Sequence, residues 1–363
     1  MKRLLIFALF ALPCMAQEPS YSIIVSPDLQ YMSSGGDTNK LQDTVSWVNS
    51  NKATYAPNLL AWLSTGDAVD TSNSTQWATY VNYFLDPILA DNIPTGESIG
   101  NHEYEGAVTG GTPVPANRVT TQYTSNVESV LAAKSYFGGA MTGAIQDPEV
   151  NNWMQVSNGS STVGFLFLEF CPRAAALSFA QTVLSAHTGF SDWWIFMHNA
   201  VTAAAVLSTT AASGTSGCQS NSVDGVNDST IGGGDLLWNA VKGYQNVRGI
   251  FGGHFSGTPY AAHSTVMGTN GNTVLLAFVN HQYDAPGNET CQTIYQFTPA
   301  ATTMGVQVNT ACPNYGGTGV FGWLPTGNTA DGVNNYSLTL QLGGVSAPAP
   351  ILGGGTIGGG KVE

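Results

Sequence analysis

The sequence predicts a layered α/β domain. Apolar runs rich in β-branched and aromatic residues alternate with segments whose apolar residues recur at helical spacing, and this alternation is typical of α/β folds. The pattern contains no internal repeat and no boundary that indicates a second domain. Residues 343–363 are rich in Gly and Pro, so they are predicted to form a flexible tail that buries no core.

In the first third of the chain, three strands are predicted where apolar runs are bounded by turn residues. They comprise Tyr21–Ser26, Leu59–Ser64 and residues 93–99. Two helices are predicted between these strands, on apolar residues that recur at helical spacing. The residues are Leu41, Val45 and Val48 in the first helix, and Trp77, Tyr80, Val81 and Phe84 in the second.

The alternation pauses over residues 105–153, a stretch rich in Gly, Thr and Asn. Connections of this length in compact domains are usually functional or disordered, and a long loop is predicted here. The alternation then resumes with strands at 163–169, 193–197 and 247–251, and with helices around 177–184 and 235–241. From residue 273 onward the pattern is mostly strand.

The first residues have the layout of a secretory signal peptide. Lys2 and Arg3 precede an apolar run that is too short to cross a bilayer, and a short segment ending at Ala16 follows. We therefore expect a signal peptide over 1–16, a single domain over 17–342, and a secreted or periplasmic protein without a membrane span.

Acidic residues dominate the charge of the chain. Removal of Lys2 and Arg3 leaves eight basic residues against 23 acidic ones. Strong nucleic-acid binding normally needs a basic patch that neutralises phosphates, and the sequence offers none. A polyanionic substrate would have to be captured through metal ions instead.

Four cysteines remain in the predicted mature chain: Cys171, Cys218, Cys291 and Cys312. Disulfides persist outside the cytoplasm, and four cysteines allow three pairings. A disulfide between Cys291 and Cys312 is favoured because these residues flank a predicted hairpin of residues 292–297 and 305–310. Four free buried thiols are the alternative.

Five short segments directly follow predicted strands, and each carries groups able to bind a metal ion. They are Pro27-Asp28-Leu29-Gln30, Gly66-Asp67-Ala68-Val69-Asp70, Gly100-Asn101-His102-Glu103, Met197-His198-Asn199 and Gly252-Gly253-His254-Phe255-Ser256. Each segment alone has an ordinary explanation, as a polar turn or a structural histidine. Loops at the carboxyl ends of strands commonly build the sites of α/β sheets. Carboxylates, an amide oxygen and imidazoles at one rim form a ligand set that Mn, Fe, Zn or related divalent ions accept.

At these segments the chain resembles the calcineurin-like metallophosphoesterase family, whose motifs run D-x-H, G-D-x-x-D, G-N-H-[DE], a lone histidine, and G-H-x-H. The resemblance extends over residues 21–309. More narrowly, the chain looks like an exported bacterial branch whose first motif reads D-x-Q, with segments like residues 136–139 and 168–173. The resemblance implies an αββα sandwich, in which two mixed β-sheets pack face to face with helices on the outside.

The resemblance also implies a site for one or two divalent metal ions, such as Mn, Fe, Zn or Mg. The implied ligands are Asp28, Gln30, Asp67, Asn101, His198 and His254. Asp67 would bridge the two ions, and the two histidines with Asn101 would complete the first of them. The second ion would take Asp28 and, in place of an imidazole, the amide oxygen of Gln30.

The chain departs from the family pattern at two positions, and both would supply ligands to this second ion. Position 30 is Gln where most of the family has His, and position 256 is Ser where the final His belongs. The second site therefore becomes rich in oxygen, better suited to Mg or Mn than to Zn, and is expected to be weak or empty. His281 is a candidate for the missing ligand.

The resemblance assigns catalytic roles to two further residues. His102 would lie over the leaving group as general acid or charge stabiliser, and Glu103 would orient His102. Arg173 has two interpretations from its residue type alone, because it either binds a substrate phosphate bidentately or closes a surface ion pair. His187 and His263 lack motif context and are interpreted as structural.

The expected reaction is hydrolysis of a phosphate mono- or diester, on a small or polymeric substrate, by metal-activated water. No G-x-S-x-G segment supports a serine hydrolase. The alternative is a catalytically weakened binding module of the same fold, which recognises an anionic or carbohydrate ligand. The departures at positions 30 and 256 favour this alternative, whereas the intact G-N-H-E segment favours the enzyme.

Overall fold

The computed structural model describes residues 18–35, 38–105, 118–143, 145, 147–209, 233–255, 260–282, 291–312, 322–323 and 335–343. The predicted signal peptide, Cys218, Ser256 and residues 344–363 of the predicted tail lie outside them. No helix among the described residues is long and apolar enough to cross a membrane.

The first of two mixed sheets contains β1 (Tyr21–Ser26), β2 (Leu59–Ser64), β3 (Thr95–Glu97), β11 (Gln292–Pro299), β12 (Thr303–Cys312), β13 (Gly322–Trp323) and β14 (Tyr336–Gln341). Its order is β13-β12-β11-β1-β2-β3, and β14 pairs with β12. Strands β1, β2 and β3 are parallel, whereas β11 is antiparallel to β1.

The second sheet contains β4 (Phe137–Ala140), β5 (Asn152–Asn158), β6 (Ser161–Leu168), β7 (Asp192–Met197), β8 (Val247–Gly252), β9 (Ala261–Met267) and β10 (Thr273–Val279). Its order is β4-β5-β6-β7-β8-β10-β9. Its central strands β6, β7, β8 and β10 are parallel, and the outer strands are antiparallel to their neighbours.

The helices are α1 (Gln30–Gly35), α2 (Thr38–Tyr55), α3 (Ser74–Tyr80), α4 (Asp86–Ala90), α5 (Thr121–Tyr123), α6 (Ser129–Ala132), α7 (Ala174–Ala186) and α8 (Gly234–Val241). A π-helical turn, Val81–Leu85, joins α3 to α4, and a second one, Thr124–Glu128, joins α5 to α6.

The two sheets pack face to face with helices on the outside, as predicted. Between the sheets, the ring of Trp194 on β7 stacks on Phe297 of β11 with centroids 4.3 Å apart. On the outer face of the first sheet, Trp62 packs edge-on against Phe84. Helices α7 and α8 cover the outer face of the second sheet. Because both faces of each sheet are buried, the central strands are almost continuously apolar.

The prediction of a long loop over residues 105–153 is wrong for the described part of that stretch. It contains α5, α6 and β4, and β5 begins within it. Tyr123, Val127 and Leu131 are spaced four residues apart and are buried on one helical face, but the polar residues between them hide the repeat. In the glycine-rich β4, Gly138 leaves room for the ring of Trp153, which a Cβ would overlap.

The predicted disulfide between Cys291 and Cys312 is present. Strands β11 and β12 form the predicted hairpin, and Gln292 lies opposite Ala311. The two cysteines next to this pair are therefore directly opposite, with their Cα atoms 4.0 Å apart. Cys171 is also disulfide-bonded, so the alternative of four free thiols is wrong.

Candidate metal centre

The five segments that carry the predicted metal ligands meet at one rim of the sandwich, where the parallel strands end. The backbone N–H of Leu29 donates to the carbonyl of Asp67 at 2.9 Å, which joins the first two segments. The N–H of Gly253 donates to the carbonyl of His198 at 2.7 Å and joins the last two. The carboxyl ends of β1, β2, β3, β7 and β8 thereby bring residues from the whole domain together.

Asp67, His198 and His254 offer ligand atoms that all lie within 4.8 Å of one another. Oδ2 of Asp67 lies 2.9 Å from Nε2 of His198. Oδ1 of Asn101 lies 2.9 Å from Nδ1 of His254. Two ligands about 90° apart on an ion with bonds of about 2.1 Å would be separated by about 3 Å. Both pairs therefore have the spacing of neighbouring ligands on a divalent ion.

The imidazole of His198 is held in a metal-binding orientation by a backbone group. Its Nδ1 lies 2.8 Å from the carbonyl oxygen of Thr65. A carbonyl oxygen can only accept a hydrogen bond, so Nδ1 carries the proton, and Nε2 of the neutral ring has the lone pair. This lone pair faces the carboxylate of Asp67, which is also an acceptor. Two buried acceptors this close need a proton or a cation between them.

The charges of the cluster favour one protonated and one neutral imidazole when no cation is bound. Burial lowers the pKa of His198, but the carboxylates of Asp67 and Asp28 outweigh it and raise this pKa to about 10. Burial and the neighbouring His198 lower the pKa of His254 to about 3. The ring of His254 is therefore neutral at physiological pH, as a metal ligand must be.

Asp28 is not a member of the group of Asp67, His198 and His254, and Gln30 lies next to Asp67. Oδ2 of Asp28 accepts the backbone N–H of His254 at 3.0 Å. Nε2 of Gln30 lies 3.4 Å from Oδ2 of Asp67, a long hydrogen bond. The buried Oδ1 of Asp28 and Oε1 of Gln30 have no hydrogen-bond partner among the described residues. Buried oxygen atoms without a hydrogen-bond partner are of the kind that a hard cation takes as ligands.

Two motif glycines are required because carboxylates approach them closely. A Cβ on Gly100 would overlap Oδ1 of Asp67, and a Cβ on Gly253 would overlap Oδ1 of Asp28. Asp67 and His254 themselves have left-handed backbones, with φ of 55° and 68°. Strained conformations of this kind cost about 1–3 kcal/mol each and cluster at functional sites.

His102 stands beside the carboxylate of Asp67. Its backbone N–H donates to Oδ1 of Asp67 at 3.1 Å, and its Nδ1 lies 2.6 Å from the carbonyl oxygen of Asp70. Burial lowers the pKa of His102, but Asp67 and Asp70 more than offset this and raise the pKa above its usual value. A cationic imidazole in this place suits a general acid or charge stabiliser.

Glu103 connects the turns that carry Asp67 and Asn101. Its Oε2 accepts the backbone N–H groups of Gly100 at 2.6 Å and of Asp67 at 3.1 Å, and its Oε1 accepts that of Val69 at 3.3 Å. Among the described hydrogen bonds, the ring of His102 is therefore oriented by the carbonyl oxygen of Asp70. Glu103 instead fixes the backbone of the two turns. Burial and the charge of Asp67 raise the pKa of Glu103 to about 7.

Arg173 forms an ion pair, but this pair is buried and not on the surface. Its NH2 lies 2.6 Å from Oε2 of Glu169. Glu169 also lies 3.3 Å from NH1 of Arg118, which donates to the carbonyl oxygen of Phe170. The ring of Phe170 packs 4.9 Å from that of His254. The two arginines and Glu169 therefore support the wall of the metal centre.

The remaining histidines differ in their surroundings. His187 packs against the ring of Trp153 at 4.4 Å, and His263 stacks on Tyr336 at 3.4 Å, in agreement with structural roles. His281 is buried after β10 and is not a member of the metal-binding group.

Four contributors to the site were not predicted: Thr65, Asp70, Arg118 and Glu169. Asp70 has a sequence signal as the second aspartate of the G-D-x-x-D motif, and Glu169 lies in the segment 168–173 that is part of the resemblance. Thr65 and Arg118 act through contacts that depend on how distant segments fold together.

No model of a known protein family matches the sequence, and a search of curated proteins finds no match. The family resemblance therefore rests on the motif residues of the sequence alone.

Proposed function

We propose that the protein is an exported, metal-dependent phosphoesterase of the calcineurin-like type, which hydrolyses a phosphate mono- or diester. The observation that carries the proposal is the 2.9 Å approach of Nε2 of His198 to Oδ2 of Asp67. Thr65 fixes the His198 proton on the opposite nitrogen, so the close pair is suited to share a cation. His254 and Asn101 add two further donors at the same spacing.

A divalent ion held by Asp67, Asn101, His198 and His254 would polarise a phosphoryl oxygen and lower the pKa of a water molecule. His102 is held on the same carboxylate by its backbone N–H. A protonated His102 would stabilise negative charge on the leaving oxygen or donate a proton to it. Asp70 keeps the ring in this orientation through its carbonyl oxygen.

A binding module of the same fold is the second candidate. It is favoured by Asp28, whose carboxylate accepts the backbone N–H of His254. It is also favoured by Gln30, where an imidazole would bind a second ion more strongly. A protein with one ion and a weak second site would bind an anionic or carbohydrate ligand without turning it over.

The proposal is tested by metal analysis of the purified full chain and by a screen of phosphate esters. We expect about one tightly bound divalent ion per chain, and hydrolysis of p-nitrophenyl phosphate or its bis-ester in the presence of Mn, Zn or Mg. Asp67→Asn should lose both properties, whereas Asp43→Asn, on the exposed face of α2, should keep them.

A protein that holds the ion but hydrolyses no ester would support the binding module instead. A protein that holds no ion under any condition would overturn both candidates. The N-terminal sequence of the protein recovered from the medium or periplasm tests export, with cleavage expected after Ala16.

A further inference from the structure

A cavity of about 640 Å³ opens where the edges of the two sheets approach each other. Its walls come from Leu89, residues 92–94, residues 134–136 and the β5–β6 hairpin. Strand β3 is the edge of the first sheet and β4 is the edge of the second. Pro94 precedes β3, whereas Asn101 follows it, so the cavity and the metal centre lie at opposite ends of this strand.

The walls of the cavity are held by backbone hydrogen bonds. The N–H of Ile93 donates to the carbonyl oxygen of Ile88. The N–H of Trp62 donates to the carbonyl oxygen of Pro94 at 2.9 Å. The N–H of Gln155 donates to the carbonyl of Tyr136 at 2.9 Å. The cavity is therefore formed before any ligand arrives, which lowers the entropy cost of binding.

Six polar side chains line the cavity, and four of them are exposed, so their polar groups can contact a ligand. They are Asn92, Lys134, Ser135, Gln155, Ser157 and Thr162. The set offers amides and hydroxyls that both donate and accept, and one cation. No acidic residue is among the lining residues, although the chain has 23 acidic residues against ten basic ones.

The other lining residues are apolar. Tyr136 and Val156 belong to the partly buried residues that pack on the core between the sheets. A volume of about 640 Å³ falls in the range of small-molecule sites and far exceeds the size of an inorganic phosphate ion. A ligand that matches this lining presents several hydroxyl groups, an apolar face and no more than one negative charge.

We propose that the cavity is a second ligand site, which binds a sugar carrying one negatively charged group. Lys134 would contact the charged group, the amides and hydroxyls would contact the sugar hydroxyls, and the ring of Tyr136 would lie against the apolar face of the sugar. This site is separate from the metal centre and does not depend on the proposed phosphoesterase activity.

Titration calorimetry of the full chain tests the proposal, with glucuronate, glucose, a glucose phosphate and inorganic phosphate as probes. We expect saturable binding of glucuronate or the glucose phosphate, and weaker binding of glucose. Lys134→Met should raise Kd for the charged sugar about tenfold or more, and Thr162→Val should raise it severalfold. Comparison of the Kd values for glucuronate and the glucose phosphate shows whether the site prefers a carboxylate or a phosphate.

Asp67→Asn distinguishes this site from the metal centre, because it should leave sugar binding unchanged. Circular dichroism and thermal melts check that the variants fold. The proposal is overturned if no sugar binds saturably, if Lys134→Met leaves binding unchanged, or if inorganic phosphate binds as tightly as the charged sugars. Loss of sugar binding in Asp67→Asn would also overturn it.

Discussion

The carbonyl oxygen of Thr65 lies 2.8 Å from Nδ1 of His198, although 133 residues separate them in the chain. Thr65 is two residues before Asp67, so a single turn after β2 positions the carboxylate and also selects which imidazole nitrogen faces it. The orientation of the candidate ligand His198 is thus set by the backbone of the segment that carries Asp67.

We predict that His198→Ala loses the metal ion, because it removes the donor that faces Asp67. Affinity for Mn or Zn should fall at least about 100-fold. His187→Ala is the matched control, since His187 packs among aromatic rings away from the cluster. Metal content by mass spectrometry decides the outcome, and a variant that keeps its ion would show that His198 is not a ligand.

We predict that His102→Ala keeps the metal ion and loses turnover. Positioned proton transfer contributes about 10²–10⁴-fold, and His102 is held next to Asp67 by its backbone N–H, which the substitution retains. Turnover per bound ion is the measurement. If metal content falls in parallel with turnover, His102 is a ligand and not an acid.

We predict that any second ion binds weakly and prefers Mg or Mn to Zn. Oδ1 of Asp28 and Oε1 of Gln30 are oxygen donors, and imidazoles are absent from both positions that the family pattern uses. Calorimetric titration should show one tight and one weak event. Gln30→His, alone or with Ser256→His, should strengthen the weak event, whereas two equally tight events in the unmodified protein would contradict the prediction.

We predict that Glu128→Gln stabilises the protein at pH 8 but not at pH 4. Burial, with a smaller contribution from Glu149, raises the pKa of Glu128 to about 8 from an ordinary value of 4.5. Between these values the folded state keeps a proton that the unfolded state releases, so stability falls as pH rises. The substitution removes this loss, a gain on the order of 4 kcal/mol at pH 8.

Urea unfolding across this pH range measures the gain from Glu128→Gln. Asp91→Asn, at an exposed position, serves as control. Its free energy of unfolding relative to the unmodified protein should not increase between pH 4 and pH 8. A gain that is equal at both pH values would mean that the Glu128 carboxyl is ionised in the folded protein.

We predict that replacing Cys291 and Cys312 together by Ala lowers the free energy of unfolding by about 3 kcal/mol. The disulfide closes a loop with a sequence separation of 21, and its removal gives the unfolded chain more freedom. Denaturant unfolding of the oxidised protein measures the change. A loss below about 1 kcal/mol would show that the β11–β12 hairpin holds these ends together without the bond.

The elements that were predicted correctly have their signal within a few consecutive residues. Tyr21–Ser26 and Leu59–Ser64 form strands with the predicted bounds, and the helical spacing of Leu41, Val45 and Val48 appears in α2. The hairpin that carries Cys291 and Cys312 is equally local, so its disulfide was predictable. The helix over residues 121–132 was missed because its three apolar residues stand among polar ones.

By itself, the sequence determined which groups arrive at the rim, because strand ends and motif residues are local properties. Only the tertiary structure decided what each group does there. The partner of His198 is a carbonyl 133 residues away, and the two arginines on Glu169 come from different segments. Such contacts depend on how the two sheets pack. Burial also shifts the pKa values of the side chains that meet there. No pattern within a short stretch of chain encodes them.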